Sequence, residues 1–187
     1  WNRCYEPWMI KRDKELKSFF SSKLKASSFN GSLLWEPWEI LKNDGTPYKV
    51  FTPFYKRGCL EAKEPRQPEY LEINFFNHNF KNTDVSDLNL LTKKKWEKKI
   101  IRNWNVGENY STEIMNNFYK DGLNDYADGR NFPIKKNVSR LSPYIHWGQV
   151  SPNTLWYELK KNQNYKNNNL EDFRSELGWR EIAYHLL

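Results

Sequence analysis

The chain has 187 residues, and 30 Lys and Arg against 23 Asp and Glu leave a formal net charge of +7. That length accommodates one or two domains with a sizeable core, and no run approaches the ~18–20 apolar residues of a membrane span. Only Cys4 and Cys59 occur, without metal-ligand spacing, which suits a reduced cytosolic or nuclear setting. The basic balance, with pI ≈ 9.2, favours a polyanionic partner such as nucleic acid. Compositional bias alone could equally give the Lys and Asn excess. Aromatic residues make up 17% of the chain and nine are Trp, more than a small helical core needs. No signal-peptide pattern stands at the start. A first residue of Trp1 and an end at Leu187 within a helical pattern read as cuts, so an internal piece of a longer protein is expected.

In chain order, residues 6–25 are rich in helix formers and set Trp8, Leu16, Phe19, Phe20 and Leu24 near helical spacing, predicting a helix. Short apolar pieces at 32–35 and 48–51 flank the turn formers of 43–47. This alternation predicts the last helix and strand of an α/β domain. Thr52-Pro53 then reads as an N-cap with Pro at the first helical position, opening a short helix with Phe54, Tyr55, Cys59 and Leu60. Residues 64–92 dissolve into Pro, Asn, Glu and isolated aromatics, an interdomain linker laid on the surface through those aromatics. Past residue 93 the pattern is helical over 93–104, 108–126, 143–149, 152–162 and 170–187. Ser142-Pro143 and Ser151-Pro152 both match an N-cap followed by Pro at N1. The expected fold class is therefore mixed, an α/β part over 1–63 joined by the linker to an all-α part over 93–187.

Two segments carry chemistry. A helix opening at Pro143 leaves unpaired backbone N–H groups beside the hydroxyls of Ser139 and Ser142 and the guanidinium of Arg140, a site for phosphate or pyrophosphate. The plainer alternative has Ser142 only capping its helix and Arg140 solvated. In the last helix Glu176, Trp179, Arg180 and Ala183 recur at i, i+3, i+4 and i+7 and share a face. Phe173, Leu177 and Tyr184 supply the adjoining apolar flank. Such a face can offer a carboxylate to the polar edge of a nucleobase and an indole to its flat side. Gly178 costs this helix about 1 kcal/mol against Ala, which fits a position where something bulky comes close. The plainer alternative is a Glu176–Arg180 surface pair beside a buried Trp. Upstream, Arg130 could meet a nucleic-acid phosphate and Tyr126 could pack on a cofactor. His146 and His185 suit core or surface roles, and His78 a linker role.

The order Tyr126, Gly129-Arg130-Asn131-Phe132-Pro133, Ser139-Arg140-Leu141-Ser142-Pro143-Tyr144, His146-Trp147-Gly148, Ser151-Pro152 and Glu176-Leu177-Gly178-Trp179-Arg180-Glu181 resembles the flavin-binding half of the DNA photolyase/cryptochrome family. Within it the chain looks most like a class I cyclobutane pyrimidine dimer photolyase. Trp1-Asn2-Arg3-Cys4-Tyr5-Glu6-Pro7 and Tyr48-Lys49-Val50-Phe51-Thr52-Pro53-Phe54 resemble the end of that family's amino-terminal Rossmann-like antenna domain. The resemblance runs nearly end to end and is weakest over 64–92. It implies a deoxyribodipyrimidine photo-lyase, a blue-light enzyme that repairs pyrimidine dimers with reduced FAD bound in a U shape in the helical domain. In the family, photoexcited flavin gives the dimer an electron, the ring splits, and the electron returns.

Carried over by position, the resemblance implies cofactor contacts at Tyr126, Val138, Ser139, Arg140, Leu141, Ser142, Phe173, Glu176, Leu177, Trp179 and Arg180. It implies DNA contacts at Arg130, Glu176 and Trp179, with Glu176 and Trp179 catalytic. Enzymes that act on a base extrude it, and a dimer already pairs and stacks poorly. A carboxylate at Glu176 with Trp179 resembles the cyclobutane-dimer branch, because (6-4) enzymes tend to have Gln and plant-type cryptochromes lose the Trp. Val138 stands where a hydroxyl is common and Phe173 where Trp often stands. A second antenna chromophore, folate or deazaflavin, occurs in relatives, but Trp8 and Met9 replace the polar pair expected after Glu6, so no antenna residue is assigned. The implied partner is DNA containing pyrimidine dimers, met by a cytoplasmic monomer away from membranes. Helices beyond residue 187 would close the family's site, so the stretch alone should hold FAD poorly and be inactive. A cryptochrome-type photoreceptor without repair is the alternative, and a cofactor-free basic helical nucleic-acid binder is a third reading.

Overall fold

The structure, a computed structural model, describes residues 1–75, 83–90, 94–161 and 167–187. Helices dominate: α1 (Pro7–Ser21), α2 (Phe51–Pro53) running into a π-helical turn (Phe54–Cys59), α3 (Lys95–Ile101), α4 (Glu108–Lys120), α5 (Tyr126–Gly129), α6 (Ser142–His146), α7 (Pro152–Lys161) and α8 (Asn167–His185). Short 3-10 turns stand at Val85–Leu88 and Gly122–Asp125. Among the described residues no helix is long and apolar enough to cross a membrane.

Neither apolar piece, 32–35 or 48–51, forms a strand. Val50 is extended, but Phe51 already begins α2, and the described residues hold only isolated bridges, Asn2 with Phe29 and Leu41 with Pro47. A strand needs a neighbouring strand for its backbone groups, and the Val50 carbonyl instead accepts the Phe54 N–H at 3.2 Å. Val50 also takes the N-cap position predicted for Thr52. The helix predicted over 108–126 keeps its face, with Ser111, Met115, Phe118 and Tyr119 buried at i, i+4, i+7 and i+8. It stops at Lys120, because Gly122 brings the chain so close that a Cβ would lie 2.7 Å from the Phe118 ring. Side-chain amides hold the break. Asn137 Nδ2 donates to the Gly122 carbonyl at 2.8 Å, and the buried Asn169 bonds both the Asn124 carbonyl and the Ala127 N–H, at 2.7 and 2.9 Å.

Among the described residues one core gathers Leu34, Trp35, Ile40, Phe54, Tyr55 and Cys59 with Phe118, Leu155, Trp156, Phe173, Leu177 and Ile182. It thus joins residues from both predicted parts. The start of the predicted linker is pinned to α7: Trp156 Nε1 donates to Glu64 at 3.2 Å, Lys160 pairs with Glu64 at 2.7 Å, and the Tyr157 hydroxyl donates to the Pro65 carbonyl at 2.5 Å. Among the described residues the linker aromatics Tyr70 and Phe75 do not do this holding, being 91% and 84% exposed. His78 lies outside the described residues, as do the predicted helix end positions Lys93 and Asn162.

Candidate functional site: an aromatic and basic cleft beside α8

The segment before α6 makes one wall of the site. Arg140 is left-handed, φ 55°, at a cost of roughly 1–2 kcal/mol for a residue with a Cβ. Its guanidinium lies 4.5 Å from the Trp104 ring centroid, a cation–π contact that helps retain the strained backbone. The Tyr144 hydroxyl, donating to the Asn105 carbonyl at 2.6 Å, ties α6 to the chain beside Trp104. Ser142 is not the cap that its sequence position suggests. Helix α6 already includes it, Leu141 stands at the N-cap, and no side chain caps the turn. Pro143 at the second helical residue tolerates this shift, since its missing N–H is unpaired there in either register. Ser151, in contrast, accepts the Asn153 N–H at 3.2 Å, as an N-cap does.

Helix α8 makes the facing wall. Phe173 and Leu177 are buried, and the Phe173 ring meets Phe118 at 4.7 Å and Tyr126 at 5.3 Å. Burial pushes the Tyr126 hydroxyl up to about 12, against the lowering effect of Arg130. Glu176 does not pair with Arg180. It accepts from Arg130 at 2.5 Å, and that guanidinium also lies over the Tyr126 ring. This hydrogen bond raises the Arg130 pKa. Arg180 instead donates to Glu181 at 2.8 Å and sits 5.0 Å from the Tyr184 ring.

Between these walls lies a cleft of about 850 Å³. Tyr126, Val138, Ser139, Arg140, Leu141 and Ser142 line one side, and Phe173, Glu176, Leu177 and Arg180 the other. Pro143, Ile145, His146, Trp147 and Tyr184 complete it. Tyr184 was visible as part of the α8 flank, whereas nothing local in the sequence turned His146 and Trp147 toward this space. Trp179 is the predicted cofactor residue that the cleft leaves out. It lies stacked on Phe51 with centroids 3.8 Å apart. Gly178 does admit a bulky group, but that group is the protein's own Tyr55: a Cβ at Gly178 would lie 2.5 Å from its ring.

A family profile described as DNA photolyase matches residues 1–71. The deoxyribodipyrimidine photo-lyase of Agrobacterium fabrum is 35% identical over 192 residues, covering 100% of this chain and 40% of that protein. The crystal structure of a bacterial class III photolyase from Agrobacterium tumefaciens superposes with a TM-score of 0.91 at 34% identity, again over 100% of this chain and 40% of the other. Over its whole length the chain is similar to members of the DNA photolyase/cryptochrome family. Cryptochrome-2 of Arabidopsis thaliana is 28% identical over 158 residues, 80% of this chain and 26% of that protein. The chain thus spans about 40% of the length of the photolyases it matches.

The residues of the cleft fit the flavin dinucleotide that this family implies. Two guanidiniums and two hydroxyls suit a diphosphate, and Tyr126, Phe173 and Leu177 offer apolar walls to flat rings. The volume falls within the roughly 300–1,000 Å³ range of cofactor clefts.

Proposed function

We propose that the chain supplies cofactor-facing and lesion-facing elements of a light-driven enzyme that repairs cyclobutane pyrimidine dimers in DNA. What carries this reading is one cleft where Arg140, Arg180 and two serine hydroxyls meet the buried rings of Tyr126 and Phe173, with Glu176 among the lining residues. Reduced FAD, when bound, supplies the electron that splits the dimer. Ser139, Arg140, Ser142 and Arg180 would hold its diphosphate through charge-assisted hydrogen bonds. Tyr126, Val138, Leu141, Phe173 and Leu177 would wall its rings and keep water out.

Glu176 and Trp179 would meet the lesion, the carboxylate at a polar edge and the indole at a flat face. The Arg130–Glu176 pair is 32% and 35% exposed, so it contributes under about 1 kcal/mol and an entering dimer can separate it. Separation frees Arg130 for a backbone phosphate. An ionised carboxylate only accepts hydrogen bonds, so Glu176 takes the ring N–H of a pyrimidine directly and donates only after gaining a proton. Within the family we assign the class III branch in place of class I, because the class III likeness from Agrobacterium covers the whole chain.

The test uses the protein expressed from its full reading frame and purified with its flavin. Blue light should remove dimers from a thymine-dimer oligonucleotide relative to a dark control. Flavin-loaded protein that removes none sinks the repair reading. A cryptochrome-type photoreceptor is the second reading, favoured by the likeness to Cryptochrome-2. It predicts bound flavin without dimer loss, whereas a cofactor-free DNA binder would purify colourless.

A further inference from the structure

Trp179 belongs to the cleft helix α8, yet its ring is placed by a residue from the amino-terminal part of the chain. Phe51 lies face to face with the indole, centroids 3.8 Å apart and planes 8° from parallel. Behind Phe51, the buried Tyr55 continues the column at 5.5 Å and 9°. The glycine at 178 admits this column, since a Cβ there would lie 2.5 Å from Tyr55 and 3.4 Å from Phe51. Three near-parallel rings thus run from core to surface and end on an indole that is still 51% exposed. Phe51 occupies one face of that indole, and the exposed area belongs to what remains.

We propose that Phe51 is the positioning residue for Trp179: it backs the indole and sets the plane against which an extruded pyrimidine stacks. This rests on the photolyase reading for the identity of the ligand. A ring already held in its bound orientation loses less freedom when a base arrives. Stacking on such a ring requires only the π-face common to all bases. The site for DNA is then composite, with the contacting ring on α8 and its support at the first residue of α2.

The experiment measures affinity, in darkness, of the protein from its full reading frame for a labelled single-stranded oligonucleotide carrying one thymine dimer. The variants are Phe51→Leu, Phe51→Tyr, Trp179→Ala and the double variant Phe51→Leu/Trp179→Ala. Loss of one aromatic backing contact in Phe51→Leu should weaken binding about three- to tenfold. Phe51→Tyr, which keeps the ring, should bind like the parent. The double variant should bind no worse than Trp179→Ala, since residues acting through one contact are non-additive. A merely structural role for Phe51 would instead make the two losses add, and that overturns the proposal. So does weakening by Trp179→Ala without weakening by Phe51→Leu, which leaves the photolyase reading intact. Unchanged binding by Trp179→Ala overturns the lesion-stacking reading and this proposal together. Should Phe51→Leu fail to fold, Phe51→Met replaces it with the same expected outcomes.

Discussion

The flank of α8 carrying Phe173, Glu176, Leu177 and Arg180 borders the open cleft, whereas Gly178, Glu181 and Ile182 are buried on the side packed against the amino-terminal residues. Charges are handled differently on the two flanks. Glu181 is sealed: its carboxylate accepts the Leu34 N–H at 2.9 Å, the Trp35 N–H at 3.3 Å and Arg180 at 2.8 Å. Glu176 keeps one exchangeable partner, Arg130, at a pair of side chains about one-third exposed. A buried carboxylate survives only with its acceptor capacity filled, while a site that must receive a ligand keeps groups whose partners can be displaced at little cost. Arg180 spans the two, lining the cleft while bonded to the sealed carboxylate.

That contrast breaks most visibly at Glu181. Glu181→Ala strands two backbone donors and a guanidinium, and should cost about 2–5 kcal/mol in urea denaturation. A loss no larger than that of an exposed glutamate would erase the distinction between the flanks. Gly178→Ala comes next: crowding Tyr55 costs about 1–3 kcal/mol, against about 1 kcal/mol gained in helix propensity. Thermal melting should therefore show net destabilisation, and a more stable variant would mean that the Tyr55 column moves freely.

The pH dependence sharpens the comparison further. Burial pushes the Glu181 carboxyl from its ordinary 4.5 up to about 7, with Arg180 and the two backbone donors pulling the other way. The folded-state value lies above the unfolded one, so protonation favours folding. This contribution is complete below about 4.5 and is lost as pH rises through about 7. Burial lowers the His185 pKa and gives the opposite slope, stability that is lost on acidification. Denaturation midpoints of Glu181→Gln subtracted from those of the parent isolate the carboxylate, and the difference should fall from pH 4.5 to 7. A flat difference would refute it. The smallest effect belongs to the open flank, where Arg130→Ala should change stability by under about 1 kcal/mol. A larger loss in the same denaturation assay would make that pair structural.

How far the sequence could be read followed the range of the forces involved. The α4 face was legible because a helix repeats its buried positions every turn, and the Ser151 cap because cap chemistry is local. Thr52 and Ser142 carried equally good cap signals, yet both helices begin earlier. At α2 the reason is visible: Phe51 lies in the Tyr55–Trp179 column, and its place in the first turn serves that packing. The periodicity of α8 put Glu176, Trp179 and Arg180 on one face, but it could not say that Arg130 would take Glu176, Glu181 would take Arg180 and Phe51 would take Trp179.

By itself, then, the sequence determined the family likeness, most helical segments and the residue types of the cleft, because motif order, helical period and charge are written along the chain. The tertiary structure decided the partners. Glu181 meets Leu34 across 147 residues, and the indole at 179 finds its backing ring at 51. Contacts at such separations depend on how elements pack, and no local propensity encodes them.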